Sequence, residues 1–210
     1  MDIGFIGGGA LAQALGSLLV NAGHTVQIGV RNPKGYDDAR LQVSDINTAI
    51  RASKLVIIAV PFSAIDEVLS IHREALSSKI VIDATNPVDH NWQPIVHPDG
   101  LSAGERVAQL LPEARVVKAF NPIFADVMTP STINRGGRKI TLFIASDDGP
   151  AKVAVSELGA DLGFDPIDAG PLLSARYTEA MAHLNIVLAV AQGGGTKAAY
   201  IYDRDLRERK

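Results

Sequence analysis

The chain of 210 residues contains no cysteine, which excludes disulfides, thiolate catalysis and cysteine-ligated metal centres. It also lacks a basic excess: 20 Lys and Arg stand against 23 Asp and Glu, so a nucleic acid or an anionic membrane is not expected as the main partner. No apolar run approaches the roughly 20 residues that span a bilayer. The first residues form a strand pattern rather than a signal peptide. These absences predict a soluble, cytoplasmic protein that acts on a small molecule.

Short runs rich in Ile and Val alternate with helical patterns along most of the chain, which predicts an α/β fold with a doubly wound parallel sheet. The runs are continuous rather than alternating, as expected where both faces of a parallel sheet are buried. They cover residues 2–6, 25–30, 55–60, 80–84, 116–120 and 139–145, with a weaker run at 41–43. Helices are predicted over 10–21, and after capping signals at Ser63, Ser102 and Asp148.

The end of the chain has a different pattern. A long helical stretch runs from Ser174 to about Ala191 and precedes three glycines and a charged tail. Its wide apolar surface favours packing against the sheet domain or against a second subunit. We therefore expect a dinucleotide-binding domain over residues 1–170, a helical appendage over residues 171–210, and a homodimer formed through the last helix.

A glycine motif follows the first predicted strand directly and opens a helix. Residues 7–12 read G-x-G-x-x-A. Gly7 permits a tight turn, Gly9 lets the backbone approach a pyrophosphate, and Ala12 is small enough for close packing of helix on strand. The helix N-terminus then binds the negative charge. Because strand, helix and second strand follow at the required spacing, the motif predicts a dinucleotide-binding Rossmann fold.

Arg31 stands at the end of the second strand, where enzymes that prefer NAD carry an Asp or Glu for the ribose hydroxyls. No carboxylate is present in the stretch IGVRN at residues 28–32. An Arg there can pair with a 2′-phosphate, and Asn32 and Lys34 could add donors. Although most arginines are simply solvated, the missing acid favours NADP over NAD.

Loops at the carboxyl ends of later strands are expected to line the cofactor, because ligands of open parallel sheets bind there. Val60-Pro61-Phe62 and Thr85-Asn86-Pro87 are two such loops. Proline is common wherever a strand ends, so each loop alone is explained equally well as a structural exit. Phe120 and Asn121 end the next strand and are expected to face the nicotinamide.

The histidines do not form a recognisable centre. His90 and His97 lie in one polar, proline-rich loop without the spacing of known metal ligands, so no metal is predicted. His183 lies among apolar residues of the last helix and is interpreted as a packing residue. No Ser/His/Asp arrangement has the context of a catalytic triad.

Four segments of the chain form a recognisable set: IGGGALAQAL, VPFSAIDEVL, VKAFNPIFADVM and DAGPLLSARYTEAMAHLNI. Together they resemble the NADPH-dependent reductases of coenzyme F-420 and the related oxidoreductase domains of the STEAP metalloreductases. The resemblance covers nearly the whole chain, and its last segment is the most specific because Rossmann domains do not generally share it. The glycine motif is also similar to that of pyrroline-5-carboxylate reductase, which needs a longer helical C-terminal domain.

The resemblance implies hydride transfer between NADP(H) and a deazaflavin or flavin ring, which needs orientation and water exclusion more than an acid–base residue. The implied NADP(H) ligands are Gly7, Gly8, Gly9, Ala10, Leu11, Val30, Arg31 and Asn32. The implied flanking residues are Val60, Pro61, Phe62, Ala64, Ala84, Thr85, Asn86 and Pro87. The implied acceptor pocket contains the last helix with Phe120, Gly170, Pro171, Leu172, Ser174 and Arg176.

Two departures from the reductase pattern leave the acceptor open. The archaeal-type reductases have one more residue in the glycine loop and a Ser where this chain has Val30, so one phosphate contact is lost. Phe120 and Asn121 are closer to the metalloreductase domains. Coenzyme F-420, FAD, FMN and an unrelated small molecule all remain candidates for the acceptor. A dehydrogenase or imine reductase, and a non-catalytic NADP(H) sensor, remain alternative functions.

Overall fold

The computed structural model describes residues 1–34, 41–95 and 99–204. Eight of its strands form one sheet in the order β10-β9-β6-β5-β4-β1-β2-β3, and β7 and β8 form a separate hairpin. The strands are β1 Asp2–Ile6, β2 Thr25–Val30, β3 Gln42–Asp45, β4 Leu55–Ile58, β5 Ile80–Asp83, β6 Arg115–Lys118, β7 Asn134–Arg135, β8 Arg138–Lys139, β9 Thr141–Ala145 and β10 Asp165–Gly170.

The sheet is parallel from β3 to β6, which confirms the predicted doubly wound fold. β9 is antiparallel to β6 and pairs with it at Ala145 and Lys118, and β10 runs parallel to β9. The strand order reverses between β1 and β4. The loops at the carboxyl ends of these strands therefore open onto the crevice where ligands of such sheets bind.

Helices cover both faces of the sheet. They are α1 Ala10–Asn21, α2 Ile46–Arg51, α3 Ile65–Leu76, α4 Ala103–Leu110, α5 Pro130–Ile133, α6 Gly149–Asp161 and α7 Ala175–Ile186, and a π-helical turn, Val187–Ala191, extends α7. Ser102 and Glu105 form the predicted capping box, and Asp148 caps α6 through the amide of Ala151. The predicted cap at Ser63 is wrong, because a 3₁₀ turn occupies Phe62–Ala64 and α3 begins at Ile65.

The core has two layers, one on each face of the sheet. Ile3, Phe5 and Ile57 belong to the layer under α1 and α6, and Ile6 and Ile58 belong to the layer under α2 to α4. Consecutive residues of one strand therefore point into different layers and are still all buried. This explains why the central strands are continuous apolar runs rather than alternating ones.

The sequence patterns did not predict β10, whose residues Asp165, Pro166 and Asp168 are typical of turns. Pro is tolerated in β10 because this strand forms the edge of the sheet. The structure places α7 directly after β10, and the proposed division at residue 170 stays a prediction. None of the described helices is long and apolar enough to cross a bilayer, and the cytoplasmic location also stays a prediction.

Candidate dinucleotide site and the pocket beside it

The glycine loop contains one position that requires glycine, Gly7, and one that leaves open space, Gly9. Gly7 has a φ of +109°, and a Cβ there would lie 2.4 Å from the carbonyl oxygen of Ala59. Gly9 has an ordinary φ of −72°, but a Cβ there would meet no described atom within 4 Å. Gly9 begins α1 without a side-chain cap, and Ala12 is fully buried against the sheet. The space over Gly9 and the uncapped helix N-terminus fit a pyrophosphate.

A cleft of about 420 Å³ adjoins this loop, and we call it the glycine-loop cleft. It brings together the predicted residues Gly7, Gly8, Gly9, Val30, Arg31, Asn32, Val60, Pro61 and Ala64, with Gly29, Ile46, Ala59 and Val68. The Arg31 side chain is exposed and makes no ion pair within the described part of the chain. It is therefore available for a phosphate.

Lys34 and Phe62, both predicted NADP(H) residues, do not line this cleft. Lys34 lies just beyond it, where its backbone N–H donates to Oδ1 of Asn32 at 3.2 Å, so Asn32 keeps its amide N–H groups as donors. Phe62 begins the 3₁₀ turn before α3 and packs on the core layer under that helix. An aromatic ring after a strand was expected to face the cofactor, but burial against the core directs it elsewhere.

A second cavity, of about 280 Å³, lies on the other side of the α1 N-terminus, and we call it the central pocket. Its walls are mostly apolar and come from α1, the loops after β5 and β6, α7 and the segment after α7. The lining residues are Ala10, Leu11, Ala84, Asn86, Trp92, Phe120, Asn121, Pro122, Ile123, Phe124, Ala125, Asp126, Ala182, Asn185, Ile186 and Thr196. Because Ala10 and Leu11 follow Gly9 directly, the two cavities adjoin the same helix N-terminus.

Asn121 and Asn86 fix each other at the floor of the central pocket. Asn86 Nδ2 donates to the backbone oxygen of Asn121 at 2.8 Å, and Asn121 Nδ2 donates to Asn86 Oδ1 and to the backbone oxygen of Thr178, both at 3.0 Å. The Thr178 carbonyl can only accept, so it settles which amide atom of Asn121 is the donor. Asn121 Oδ1 is buried and has no hydrogen-bond partner among the described residues. Buried acceptors of this kind are uncommon in folded proteins.

Phe120 precedes this asparagine in a strained conformation. It is fully buried but has a φ of +65°, and its ring meets that of Phe164 edge to face at 5.9 Å. A left-handed backbone at a bulky residue costs of order 1–3 kcal/mol and persists only where its surroundings impose it. The strained residue, Phe120, therefore lies in the turn that connects β6 to Asn121.

A buried ionic network lies at the ends of β5 and β6, next to the loops that carry Asn86 and Asn121. Lys118 Nζ lies 2.8 Å from Asp83 Oδ2 and 2.8 Å from Glu179 Oε1, and it donates to the Thr85 carbonyl oxygen at 2.6 Å. Glu179 also accepts the N–H groups of Ala103 and Gly104 in the first turn of α4, at 3.0 and 3.1 Å. Burial disfavours the Lys118 ammonium, but the two carboxylates outweigh that effect and raise the pKa of Lys118. The network joins β5, β6, α4 and α7 in one place.

Thr85 and Pro87 do not line the pocket, and each makes structural hydrogen bonds instead. Thr85 donates its N–H and hydroxyl to Asp83 Oδ1 at 2.9 and 2.7 Å, and it is buried. The Pro87 carbonyl accepts the N–H of Ile95 at 2.7 Å. Of the predicted loop 84–87, therefore, Ala84 and Asn86 reach the pocket.

The loop before α7 does not line the central pocket, and its predicted role in shaping the acceptor site stays a prediction. Leu172 is buried in the core layer under α4, while Arg176 pairs with Glu105 through two hydrogen bonds of 2.8 and 2.9 Å. Gly170, Pro171 and Ser174 form the turn between β10 and α7. These five residues lie at the N-terminal end of α7, whereas the pocket is lined by Ala182, Asn185 and Ile186 further along the same helix.

The described residues contain no group of three His, Asp or Glu side chains that could hold a metal ion. His90 is exposed and lies 3.1 Å from the Asn91 amide nitrogen, and His97 is outside the described residues. His183 is partly buried in α7, and burial is the main reason why its pKa is lowered.

Several lining residues were not predicted from the sequence. Asn185 donates to the Pro122 carbonyl at 3.0 Å, and Thr196 donates to the carboxylate of Asp126. The charged residues of the ionic network were missed as well. The sequence did contain a signal for the network, because Asp83 and Lys118 are charged residues within the predicted apolar runs 80–84 and 116–120. Buried charges in such strands are usually paired.

Comparison with known proteins now identifies the chain. The family model described as NADP oxidoreductase, coenzyme F420-dependent, matches residues 2–87. The F420-dependent NADP reductase of Methanothermobacter marburgensis is 32% identical over 212 aligned positions, which cover 90% of this chain and 93% of that protein. The chain belongs to this family of NADP oxidoreductases.

Two further relatives define how far the similarity extends. A crystal structure of a candidate F420-dependent NADP-reductase from Arthrobacter sp. FB24 superposes with a TM-score of 0.86 at 28% identity, over 97% of this chain and all of that one. The metalloreductase STEAP3 of Rattus norvegicus is 34% identical over 85% of this chain, but the match covers 36% of that protein. The family resemblance inferred from the four sequence segments is therefore confirmed.

Proposed function

We propose that this NADP oxidoreductase transfers hydride between NADP(H) and a deazaflavin such as coenzyme F-420, or a flavin. The observation that carries the proposal is the central pocket: an apolar cavity beside the glycine loop, with Asn121 in its wall. Such a pocket suits a reaction in which the cofactors supply the reactivity and the protein supplies orientation and dryness.

The chain offers a continuous set of partners for the dinucleotide. In this proposal the loop from Gly7 to Leu11 holds the pyrophosphate, and Arg31 with Asn32 holds the 2′-phosphate. Asn121 Oδ1 accepts an N–H of the nicotinamide carboxamide, which orients the ring. NADPH bound there would supply the hydride, and the acceptor ring would take up that hydride and one proton from solvent while NADP⁺ is released.

The residues around the reacting rings need only exclude water and fix distances. Leu11 and Ile186 provide apolar surface, and Asp126 is the one titratable lining residue among those described. Its carboxylate is already engaged by Thr196.

The relatives support different acceptors. The reductase of Methanothermobacter marburgensis, which this chain matches over nearly its whole length, is named for coenzyme F-420. The STEAP metalloreductases are named for metals, but this chain spans about a third of their length. We therefore favour a deazaflavin or flavin ring over a ferric chelate as the direct acceptor.

The test is steady-state oxidation of NADPH by the chain with coenzyme F-420, FMN, FAD, a cyclic imine and ferric citrate in parallel. Turnover with a deazaflavin or flavin supports the proposal. Turnover confined to the cyclic imine would instead identify an imine reductase. Tight NADPH binding without turnover on any of these acceptors would identify a sensor.

We further propose that the chain forms a homodimer through α7 and the π-helical turn. Apolar side chains lie exposed along one stretch, at Leu184, Val187, Leu188 and Val190. Contiguous exposed apolar surface of this kind usually marks an interface. Light scattering should give twice the chain mass for the wild type and the single mass for Leu188→Asp, while Ile71→Asp on exposed α3 should leave the mass unchanged. A wild-type monomer would rule the dimer out.

A further inference from the structure

Trp92 is the one tryptophan of the chain, and it is 56% exposed although it lines the central pocket. Burying a large aromatic side chain normally stabilises a fold. An exposed Trp92 at a pocket does not contribute that stabilisation. The exposed ring is therefore available to a ligand that enters the pocket.

The loop that carries Trp92 is firmly built. The Asp89 carboxylate accepts the N–H groups of Asn91 and Gln93, both at 2.8 Å, and the Asp89 N–H donates to the Gln93 carbonyl at 2.9 Å. The Trp92 N–H donates to the Asp89 carbonyl at 3.1 Å, and Val88 pairs with Pro94 in an antiparallel bridge. These contacts fix the backbone that carries Trp92 at the pocket.

The backbone of Trp92 is itself strained. Its φ is +63°, a left-handed conformation that bulky residues rarely adopt. An observed backbone outlier of this kind is a reason to infer a function, because the surrounding loop must impose it. Here the consequence is that an indole ring, rather than a small turn residue, stands at the pocket.

The remaining lining residues limit what the ring can contact. Ala10, Leu11, Ala182 and Ile186 provide apolar surface, and Asp126 is the one carboxylate among the described lining residues. A bare ferric ion favours several charged oxygen ligands, and the described lining offers the single carboxylate of Asp126. A flat conjugated ring system can use both the apolar wall and the face of an indole.

We propose that Trp92 stacks on the hydride acceptor and covers the face of its ring turned away from the nicotinamide, so that the acceptor is a planar multi-ring redox cofactor of the flavin or deazaflavin class. This inference rests on the proposed function for the hydride donor. Trp92 is a specificity residue in it: the indole selects flat rings and leaves NADP(H) binding to the glycine loop and Arg31.

The test is calorimetric titration of the NADP⁺-saturated chain with FMN and with coenzyme F-420. Trp92→Ala should raise the Kd of the ring ligand about tenfold, equivalent to 1.4 kcal/mol, and Trp92→Phe should recover most of the loss. The Kd of NADP⁺ should not change. The matched control is Tyr177→Ala, since Tyr177 is 72% exposed on α7 and is not a lining residue of the pocket.

Because the chain has a single tryptophan, its emission reports the same contact directly. Ring binding should quench that emission in the wild type and in Tyr177→Ala. Equal Kd values for wild type and Trp92→Ala would overturn the stacking, and so would a fall in NADP⁺ affinity matching the fall in ring affinity.

The outcomes separate this inference from the function on which it rests. If the wild type binds the ring through Trp92 but does not oxidise NADPH with it, the proposed reaction fails and the stacking stands. If NADPH is oxidised by the ring and Trp92→Ala binds it normally, the stacking alone fails. If neither ring binds the wild type, both proposals are wrong.

Discussion

The glycine-loop cleft and the central pocket adjoin the same helix N-terminus, but backbone geometry forms the first and side chains form the second. The cleft depends on backbone: a left-handed Gly7, an open Gly9 and the uncapped start of α1. The pocket depends on side chains that meet from distant parts of the chain. Asn121, for example, joins Asn86 and Thr178, which are 35 and 57 residues away.

This difference shows how the two halves of the reaction can be specified separately. A dinucleotide carries charge that any exposed helix N-terminus can bind, so a short local motif is enough. An uncharged ring offers little for such a motif to hold. Its position has to come from a shaped cavity whose walls are fixed by a rigid network, here that of Lys118, Asp83 and Glu179.

The largest effect is expected from breaking that network. Lys118→Met would leave two carboxylates buried without their cation, and losing one partner of a buried pair costs about 3–5 kcal/mol. Urea unfolding should therefore show a fall of that size in the free energy of unfolding. The matched control is Lys152→Met, whose partner Asp168 is largely exposed, and which should cost below about 1 kcal/mol. Similar losses for both variants would show that the network contributes no more than a surface pair.

The same contrast explains what the sequence could predict. Gly7, Gly9, Ala12 and Arg31 were predictable because a motif of six residues and one strand end define them. The central strands were predictable because both of their faces are buried. The last helix was expected at the pocket, but its lining residues were not predicted, since the choice of Ala182, Asn185 and Ile186 over Leu172 and Arg176 depends on how the helix packs on the sheet. Local patterns contain no information about that packing.

Removing the phosphate contact tests the cleft alone. Arg31→Ala should weaken NADPH binding by about 1.5–3 kcal/mol, the scale of a hydrogen bond to a charged group, and barely change NADH binding. Calorimetric titration with both nucleotides measures this. Lys54→Ala is the control because Lys54 is exposed just before β4, at the opposite end of the strands from the cleft, and the affinity of this variant for NADPH should match the wild type. Equal losses for NADPH and NADH would show that Arg31 does not contact the 2′-phosphate.

A methyl group added at Gly9 separates binding from folding. The φ of Gly9 is ordinary and a Cβ there meets no described atom within 4 Å, so Gly9→Ala should lower the free energy of unfolding by about 1 kcal/mol or less, the cost of a poorer N-cap. It should nevertheless weaken NADPH about tenfold, or 1.4 kcal/mol, by filling the space for the pyrophosphate. Gly7→Ala is the contrasting variant and should lower stability more, because of its φ of +109° and the nearby Ala59 carbonyl. Unchanged NADPH affinity in Gly9→Ala would place the pyrophosphate elsewhere.

The smallest effect concerns Arg176, which the structure places away from both cavities. Its two hydrogen bonds to Glu105 lower the pKa of that carboxyl to about 2, against the opposing effect of burial and with help from Ser102. A depressed carboxyl pKa stabilises the fold above the unfolded value near 4.5, and that stabilisation is lost as the pH falls through 2.

Arg176→Gln should therefore lower the free energy of unfolding at pH 7 by less than about 1 kcal/mol, because the arginine side chain is half exposed and the pair is screened by solvent. The gap from the wild type should close between pH 4.5 and 2 in urea titrations, while NADPH oxidation at pH 7 stays unchanged. A gap that is constant with pH would show that Arg176 acts through packing. A loss of turnover would instead show that Arg176 belongs to the acceptor site, which would then extend from the central pocket to the start of α7.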